Sequence, residues 1–162
     1  LQSSAPGTWA LGDITNPVQL KHTANEEARV VAHNLAHPDE LQAINRSVIP
    51  YAVFGHPQIA SVGATEDELV ASDTSYRVAS RDFALTAYGW AMEDATGFVK
   101  LLADPTSGLL LGAHIIGPQA PTLIQQLITG MSLGLTIDQM ARGQLYIHPA
   151  MPEVVEQALL DF

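Results

Sequence analysis

The sequence contains no cysteine among its 162 residues. A chain without thiols forms no disulfide, supplies no cysteine ligand to zinc and offers no cysteine nucleophile. Disulfide scaffolds, cysteine zinc sites and thiol catalysis are therefore excluded from the chain itself, and no other pattern in it predicts a metal site.

Basic residues are also scarce, with seven Lys and Arg against 17 Asp and Glu and a formal net charge of −10. Nucleic acids and anionic membranes bind clustered Lys and Arg, so we expect neither as a partner. No apolar run approaches the roughly 18 residues of a membrane span, and the first four residues do not resemble a secretory signal. With 47% hydrophobic residues, the chain is predicted to be globular and cytoplasmic.

The most informative stretch is LYIHPAMPEVVEQALLDF, residues 145–162. Proline disfavours helical conformation in the residue before it and suits the first position of a helix. We therefore expect His148 to precede a helix that begins near Pro152 and runs to about Leu160. Glu153 would fall in the first turn, where the helix dipole favours a carboxylate, and we predict a hydrogen bond between it and the imidazole of His148.

A histidine in contact with a carboxylate is a candidate acid/base pair. The carboxylate accepts one ring N–H, fixes the tautomer and stabilises the imidazolium that forms on proton uptake. A simpler interpretation is that His148 is an ordinary loop residue and Glu153 only favours the start of its helix. Spacing alone leaves both interpretations open.

The N-terminal part predicts a short strand at residues 8–11, then Gly12 and Asp13. A Gly-Asp pair after a strand either closes an ordinary turn or places a carboxylate beside a ligand. Helical spacing in residues 22–36 predicts an amphipathic helix with an apolar face formed by Ala24, Ala28, Val31 and Leu35.

Residues 37–49 are polar and predict a linker, with a domain boundary near residue 48. The elements predicted beyond it are two short strands on either side of Gly55-His56-Pro57, a helix with a capping box at Thr65 and Glu68, a strand at 76–83, a hairpin of strands at 97–103 and 109–117, and a short helix that Thr136 caps. Residues 84–96 give no clear pattern. We expect an α+β domain in which an antiparallel sheet of about five strands has helices packed on one side.

A further helix, predicted at residues 119–134, is apolar on more than one stripe. Its apolar residues are Leu123, Ile124, Leu127, Ile128, Met131 and Leu133. Such a helix must be covered on two sides. One sheet face provides one cover, so we expect the second from another subunit, although other residues of the same chain could also supply it.

Three stretches, in this order, resemble the pyridine nucleotide-disulfide oxidoreductases. They are WALGD followed by LKHTANEEARVVAHNL, then IPYAVFGHPQIASVGATEDEL, and finally LYIHPAMPEVVEQALL. The resemblance covers nearly the whole chain, although many members have Thr or Ser at the positions of Ala150 and Pro152. It implies that residues 48–162 are the dimerisation domain and that residues 1–47 are the end of the FAD-binding domain and a linker.

The same resemblance implies roles for single residues. His148 would be the catalytic acid/base and Glu153 would orient it. Gly12 and Asp13 match the family's second FAD motif, in which the aspartate holds a ribityl hydroxyl.

In that family the start of the next helix points at the flavin, which here places Leu20, Lys21 and His22 at the cofactor. The side chains of Lys21 and His22 could equally be solvated, so we expect the contact to come from the backbone N–H groups.

The resemblance implies a homodimeric enzyme that uses FAD, NADPH and a cysteine pair to reduce a disulfide, here predicted to be a low-molecular-weight one. The chain has neither the cysteine pair nor the glycine-rich nucleotide-binding turn, and it begins with Leu1. We therefore expect it to be the C-terminal part of a longer enzyme and not to hold FAD tightly alone. The alternatives are a member of the same family that acts on a different substrate, and a dimerisation module without activity.

Overall fold

The computed structural model describes residues 1–162, and the chain divides into two units, Leu1–Ile49 and Pro50–Phe162. The first unit contains a 3-10 turn at Gly12–Ile14 and one long helix, α1, at Lys21–Ala36. The strand predicted at residues 8–11 is wrong, because only one bridge forms there, between Gln2 and Trp9. An extended segment needs a continuous partner strand to become part of a sheet.

The buried face of α1 also differs from the predicted apolar face. Leu35 is 61% exposed, and the buried side chains are Thr23, Glu27, Val30, Val31 and Asn34. Polar contacts determine this face. The Asn34 side chain donates to the carbonyl oxygen of Gln42 at 3.0 Å and accepts its N–H at 2.7 Å, and Glu27 is hydrogen-bonded to the turn before the helix.

The second unit contains five strands and five helices. The strands are β1 Tyr51–Val53, β2 Ile59–Gly63, β3 Arg77–Asp82, β4 Phe98–Ala103 and β5 Leu110–Ile116. The helices are α2 Glu66–Ala71, α3 Ala87–Ala91, α4 Ala120–Leu133, α5 Ile137–Arg142 and α6 Glu153–Leu160. The capping boxes at Thr65 with Glu68 and at Thr136 with Gln139 are both formed.

All strand pairs are antiparallel, in the order β1-β2-β5-β4-β3. The predicted hairpin joins β4 to β5 in the centre of the sheet. Its turn is held by Asp104, whose Oδ1 accepts the N–H groups of Thr106 and Ser107 at 2.9 and 2.6 Å. Gly108 closes the turn with φ of +69°, a left-handed conformation that side chains disfavour.

Helix α4 packs against β1, β2 and β5, and α6 packs against β3 and β4, with α5 beside α6. The core between sheet and helices includes Val62, Val99, Leu101, Ile115, Leu127, Val154 and Val155, each 0–1% exposed. The predicted α+β fold with a five-stranded antiparallel sheet is confirmed. None of its helices is long and apolar enough to cross a membrane.

Residues 84–96 and helix α4 add detail to this fold. Residues 84–96, which show no clear pattern in the sequence, include α3. The Thr86 hydroxyl caps the start of this helix, and its Trp90 is 75% exposed. In α4, one face is buried, whereas Ile128 and Met131 are only partly covered and Leu133 is 69% exposed. Part of the second apolar stripe of α4 is thus uncovered within the chain.

Candidate functional site: a histidine–glutamate pair and a glycine–aspartate turn

His148 lies in the loop between α5 and α6, five residues before Glu153, the first residue of α6. It is joined to Pro149 by a cis peptide bond. Pro152 is the N-cap of α6 and Glu153 is its first residue, so the helix begins one residue later than predicted. Because the loop turns tightly here, the residues five apart in sequence face each other.

The Nδ1 atom of His148 lies 2.6 Å from Oε1 of Glu153, which is the predicted hydrogen bond. The second carboxylate oxygen, Oε2, accepts the backbone N–H of Ala150 at 3.0 Å. Glu153 is 11% exposed in its side chain, whereas His148 is 68% exposed. A buried carboxylate held at both oxygens thus orients an imidazole that solvent and other molecules can reach.

The hydrogen bond also defines the proton positions. A carboxylate only accepts, so Nδ1 carries the proton and Nε2 is the nitrogen that can exchange one. The hydrogen bond from His148 lowers the pKa of Glu153 below its ordinary value of 4.5, burial opposes this, and the Ala150 N–H lowers it further. Glu153 is therefore held as the anion that supports a protonated imidazole.

The lowered pKa of Glu153 predicts how stability depends on pH. A carboxyl group with a depressed folded-state pKa stabilises the fold above its unfolded pKa, and this contribution disappears as the pH falls through the folded value. We expect Glu153→Gln to be about 1 kcal/mol less stable than the wild type at pH 7, and this difference to shrink as the pH falls below 4.5. Urea unfolding between pH 3 and 7 measures it.

Glu156→Gln is the matched control, because Glu156 lies in the same first turn of α6 and has no contact with His148. It should follow the wild type at every pH. A constant difference between Glu153→Gln and wild type from pH 3 to 7 would contradict the role given to the charge of Glu153.

The second candidate group lies in the first unit, where Gly12 and Asp13 form the 3-10 turn. Gly12 has φ of +77°, and a Cβ atom added there would lie 3.9 Å from Cβ of Ala24. The turn therefore lies against the first turn of α1. Asp13 is exposed beside it.

The start of α1 fits an electron-rich ligand. Its N-cap, Leu20, has no side chain that accepts from the helix, and the first turn carries no acidic residue. Lys21 and His22 are exposed, and Lys21 donates to the Asn25 side chain. Backbone N–H groups at a helix start bind anionic or electron-rich groups, so this arrangement is compatible with the flavin contact predicted for the backbone.

A residue that the sequence analysis missed is Glu27, which is fully buried and whose carboxylate is hydrogen-bonded to the Gly12–Ile14 turn. In the second unit, Glu66 contacts Lys100, and its pKa is lowered mainly by the hydrogen bonds from the Lys100 ammonium and the Tyr76 hydroxyl. No group of three or more His, Asp and Glu side chains is placed to hold a metal ion.

Two other histidines are not part of either candidate group. His114 contacts the Ser61 hydroxyl through Nδ1 at 3.0 Å and the Ala64 carbonyl through Nε2 at 3.1 Å. Burial lowers its pKa. It is a structural, partly buried histidine, and His56 is exposed.

The sequence matches the family described as pyridine nucleotide-disulphide oxidoreductase, dimerisation domain, over residues 49–159. The chain belongs to this family. Its members include the mycothione reductase of Mycobacterium tuberculosis, which is 53% identical over 163 residues, covering 98% of this chain and 36% of the relative. Dihydrolipoyl dehydrogenase 3 of Pseudomonas aeruginosa is 34% identical, covering 99% of this chain and 34% of the relative.

A solved flavoprotein disulfide reductase has the same fold. The Cu(II) complex of the HOCl-induced flavoprotein disulfide reductase RclA from Escherichia coli superimposes with a TM-score of 0.88 at 26% identity. The match covers 99% of this chain and 36% of RclA. The chain thus spans about a third of the length of the relatives that it matches.

Proposed function

We propose that this chain is the C-terminal part of a flavoprotein disulfide reductase that resembles mycothione reductase. The enzyme would reduce mycothiol disulfide with NADPH as a cytoplasmic homodimer. Residues 1–47 would be the end of the FAD-binding domain with its linker, and residues 48–162 the dimerisation domain. The 53% identity to mycothione reductase over 98% of the chain supports this substrate class.

The observation that carries the catalytic proposal is the 2.6 Å contact between His148 and Glu153. Reducing a disulfide breaks the S–S bond, and the departing sulfur takes the electron pair and needs a proton. His148 supplies that proton from Nε2 while Nδ1–H remains bonded to Glu153. Glu153 stabilises the imidazolium before the transfer and keeps the ring in place afterwards.

FAD would pass electrons from NADPH to a cysteine pair, which must come from segments outside this chain because it contains no cysteine. Toward FAD, Asp13 would accept a hydrogen bond from a ribityl hydroxyl, and Gly12 would allow the close approach. The backbone N–H groups after Leu20, at Lys21 and His22, would contact the electron-rich end of the ring. The uncapped start of α1 supports this assignment.

Two alternative functions are considered beside this one. Dihydrolipoyl dehydrogenases belong to the same family and are 34% identical to the chain, so the substrate could be a dihydrolipoyl group with NAD as the acceptor. A dimerisation module without activity would have the same fold and no turnover.

One experiment distinguishes these functions, using the complete polypeptide that contains this chain. We expect it to purify with FAD bound and to oxidise NADPH with mycothiol disulfide at a kcat/KM at least about tenfold above that with lipoamide and NADH. The 162-residue chain alone should purify without FAD, because the pyrophosphate contacts come from a glycine-rich turn that it lacks. Preference for lipoamide would overturn the substrate, and a colourless complete polypeptide would overturn the enzyme.

A further inference from the structure

The most deeply buried charged side chain in the first unit is Glu27, which is 0% exposed. It lies on α1, one residue after the exposed Glu26, which pairs with Arg29 on the surface. Burying a carboxylate is costly unless donors replace the lost water. The groups around Glu27 should therefore reveal what its burial achieves.

Four donors surround the carboxylate, and they come from two segments outside α1. Oε2 accepts the backbone N–H of Gly12 at 2.6 Å, and Oε1 accepts the Asn16 side-chain amide at 2.8 Å. Oε1 also accepts from Nη2 of Arg46 at 3.0 Å. The Thr15 hydroxyl lies 3.2 Å from Oε2 and donates to the Gly12 carbonyl oxygen at 2.8 Å.

Glu27 thus holds both ends of the turn that contains Asp13. Gly12, at one end, is bonded through its N–H, and Asn16, at the other, through its side chain. Arg46 supplies the opposite charge, and its side chain is 42% exposed. The result is a turn whose position on α1 is defined by a single carboxylate.

Two buried oxygens in this region have no partner within the protein, Oδ1 of Asn16 and Oγ1 of Thr23. Asn16 ends the turn and Thr23 lies in the first turn of α1, and both side chains are at least nine-tenths buried. Buried polar atoms of this kind are normally satisfied. Their location between the turn and the helix start agrees with a segment arranged to bind a polar ligand.

We propose that Glu27 is a positioning residue for the flavin site. By fixing the turn of Gly12 to Asn16 on α1, it sets the distance between the Asp13 carboxylate and the backbone at the start of that helix. These two groups would then contact the ribityl chain and the ring of the same FAD molecule. Glu27 itself does not touch the cofactor, and its role rests on the proposed function, in which Asp13 and the start of α1 contact FAD.

The test uses the complete polypeptide, stripped of FAD and titrated with FAD while flavin fluorescence and the visible absorption spectrum are recorded. Glu27→Gln keeps the shape of the side chain but replaces an acceptor oxygen by a donor, which cannot bond to the surrounding N–H groups. We expect the FAD dissociation constant to rise about 10–100-fold. Metalloproteins lose affinity for their metal by this factor when they lose a residue that orients a metal ligand by a hydrogen bond, as Glu27 orients the turn here. The absorption maxima of the bound flavin should also shift.

Three further variants separate positioning from general stability. Val30→Ala removes a buried side chain one turn further along α1, and it should lower the unfolding midpoint without changing FAD affinity. Glu26→Gln should behave as the wild type. Arg46→Gln removes the guanidinium that donates to Glu27 from the partly exposed side of the cluster. It should raise the FAD dissociation constant a fewfold. This variant tests the inference if Glu27→Gln does not fold.

If the wild type binds FAD and Glu27→Gln binds it equally well with an unchanged spectrum, the inference is wrong. It is also wrong if Val30→Ala weakens FAD binding as much as Glu27→Gln at equal loss of stability. Where Glu27→Gln is insoluble, an unchanged affinity in Arg46→Gln overturns the inference. A wild type that does not bind FAD would overturn the proposed function, and this inference with it.

Discussion

Replacing His148 by alanine should lower turnover with the disulfide substrate by about 10²–10⁴-fold, while NADPH still reduces the bound FAD at nearly the wild-type rate. The reason is the separation of roles in the site. His148 is 68% exposed and its Nδ1 is committed to Glu153, so its Nε2 serves only the step that protonates the departing sulfur. Stopped-flow absorbance of the flavin measures the first half-reaction, and steady-state NADPH consumption measures the whole cycle.

His56 provides the matched control for this variant, because it also precedes a cis proline and is exposed, with no carboxylate partner in the structure. His56→Ala should retain wild-type turnover. Equal loss of both half-reactions in His148→Ala would mean that the histidine supports the fold and not proton transfer. Turnover of His148→Ala near the wild-type level would remove it from the mechanism altogether.

The sequence predicted most of the second unit because its elements follow simple local rules. The hairpin of β4 and β5 is defined by alternating apolar strands and the turn from Asp104 to Gly108, and the capping boxes mark the starts of α2 and α5. Residues 84–96 were not predictable. Their helix α3 is only five residues long, too short for helical periodicity to show.

The first unit was harder to predict, because polar contacts determine its structure. Apolar periodicity predicted that Ala24, Ala28, Val31 and Leu35 form the buried face of α1. The side chains buried in the structure are mostly those one position earlier, namely Thr23, Glu27, Val30 and Asn34. A glutamate in a predicted helix is normally assigned to solvent. Only the three-dimensional arrangement brings Gly12, Asn16 and Arg46 around Glu27, and nothing in their spacing indicates this.

The His148 and Glu153 contact was predictable because five residues and two prolines limit the loop to few conformations. The exposed apolar surface beside this pair was not predictable from the sequence. Leu145 is 99% exposed and Ile147 is 75% exposed, on either side of Tyr146, whose hydroxyl donates to the Met140 carbonyl oxygen at 3.1 Å. The loop that carries the histidine thus presents apolar side chains that a single chain leaves uncovered.

We also predict that each active site is built from two chains. These exposed apolar side chains support that prediction. Leu145 and Ile147 flank the histidine, and Leu133 ends the partly covered stripe of α4. A two-fold dimer covers equivalent surfaces on both chains, and obligate dimers commonly bury more than about 2,000 Å². His148 of one subunit would then act on the cysteine pair of the other.

Complementation between two inactive variants of the complete polypeptide tests this directly. One variant carries His148→Ala, and the other lacks the cysteine pair but keeps His148. When the two are dissociated, mixed in equal amounts and reassociated, half of the dimers pair unlike chains, and each of these has one intact site. We predict recovery of about a quarter of the wild-type turnover. No activity above that of the separate variants, with heterodimers present by mass spectrometry, would place the whole site within one chain and contradict the account.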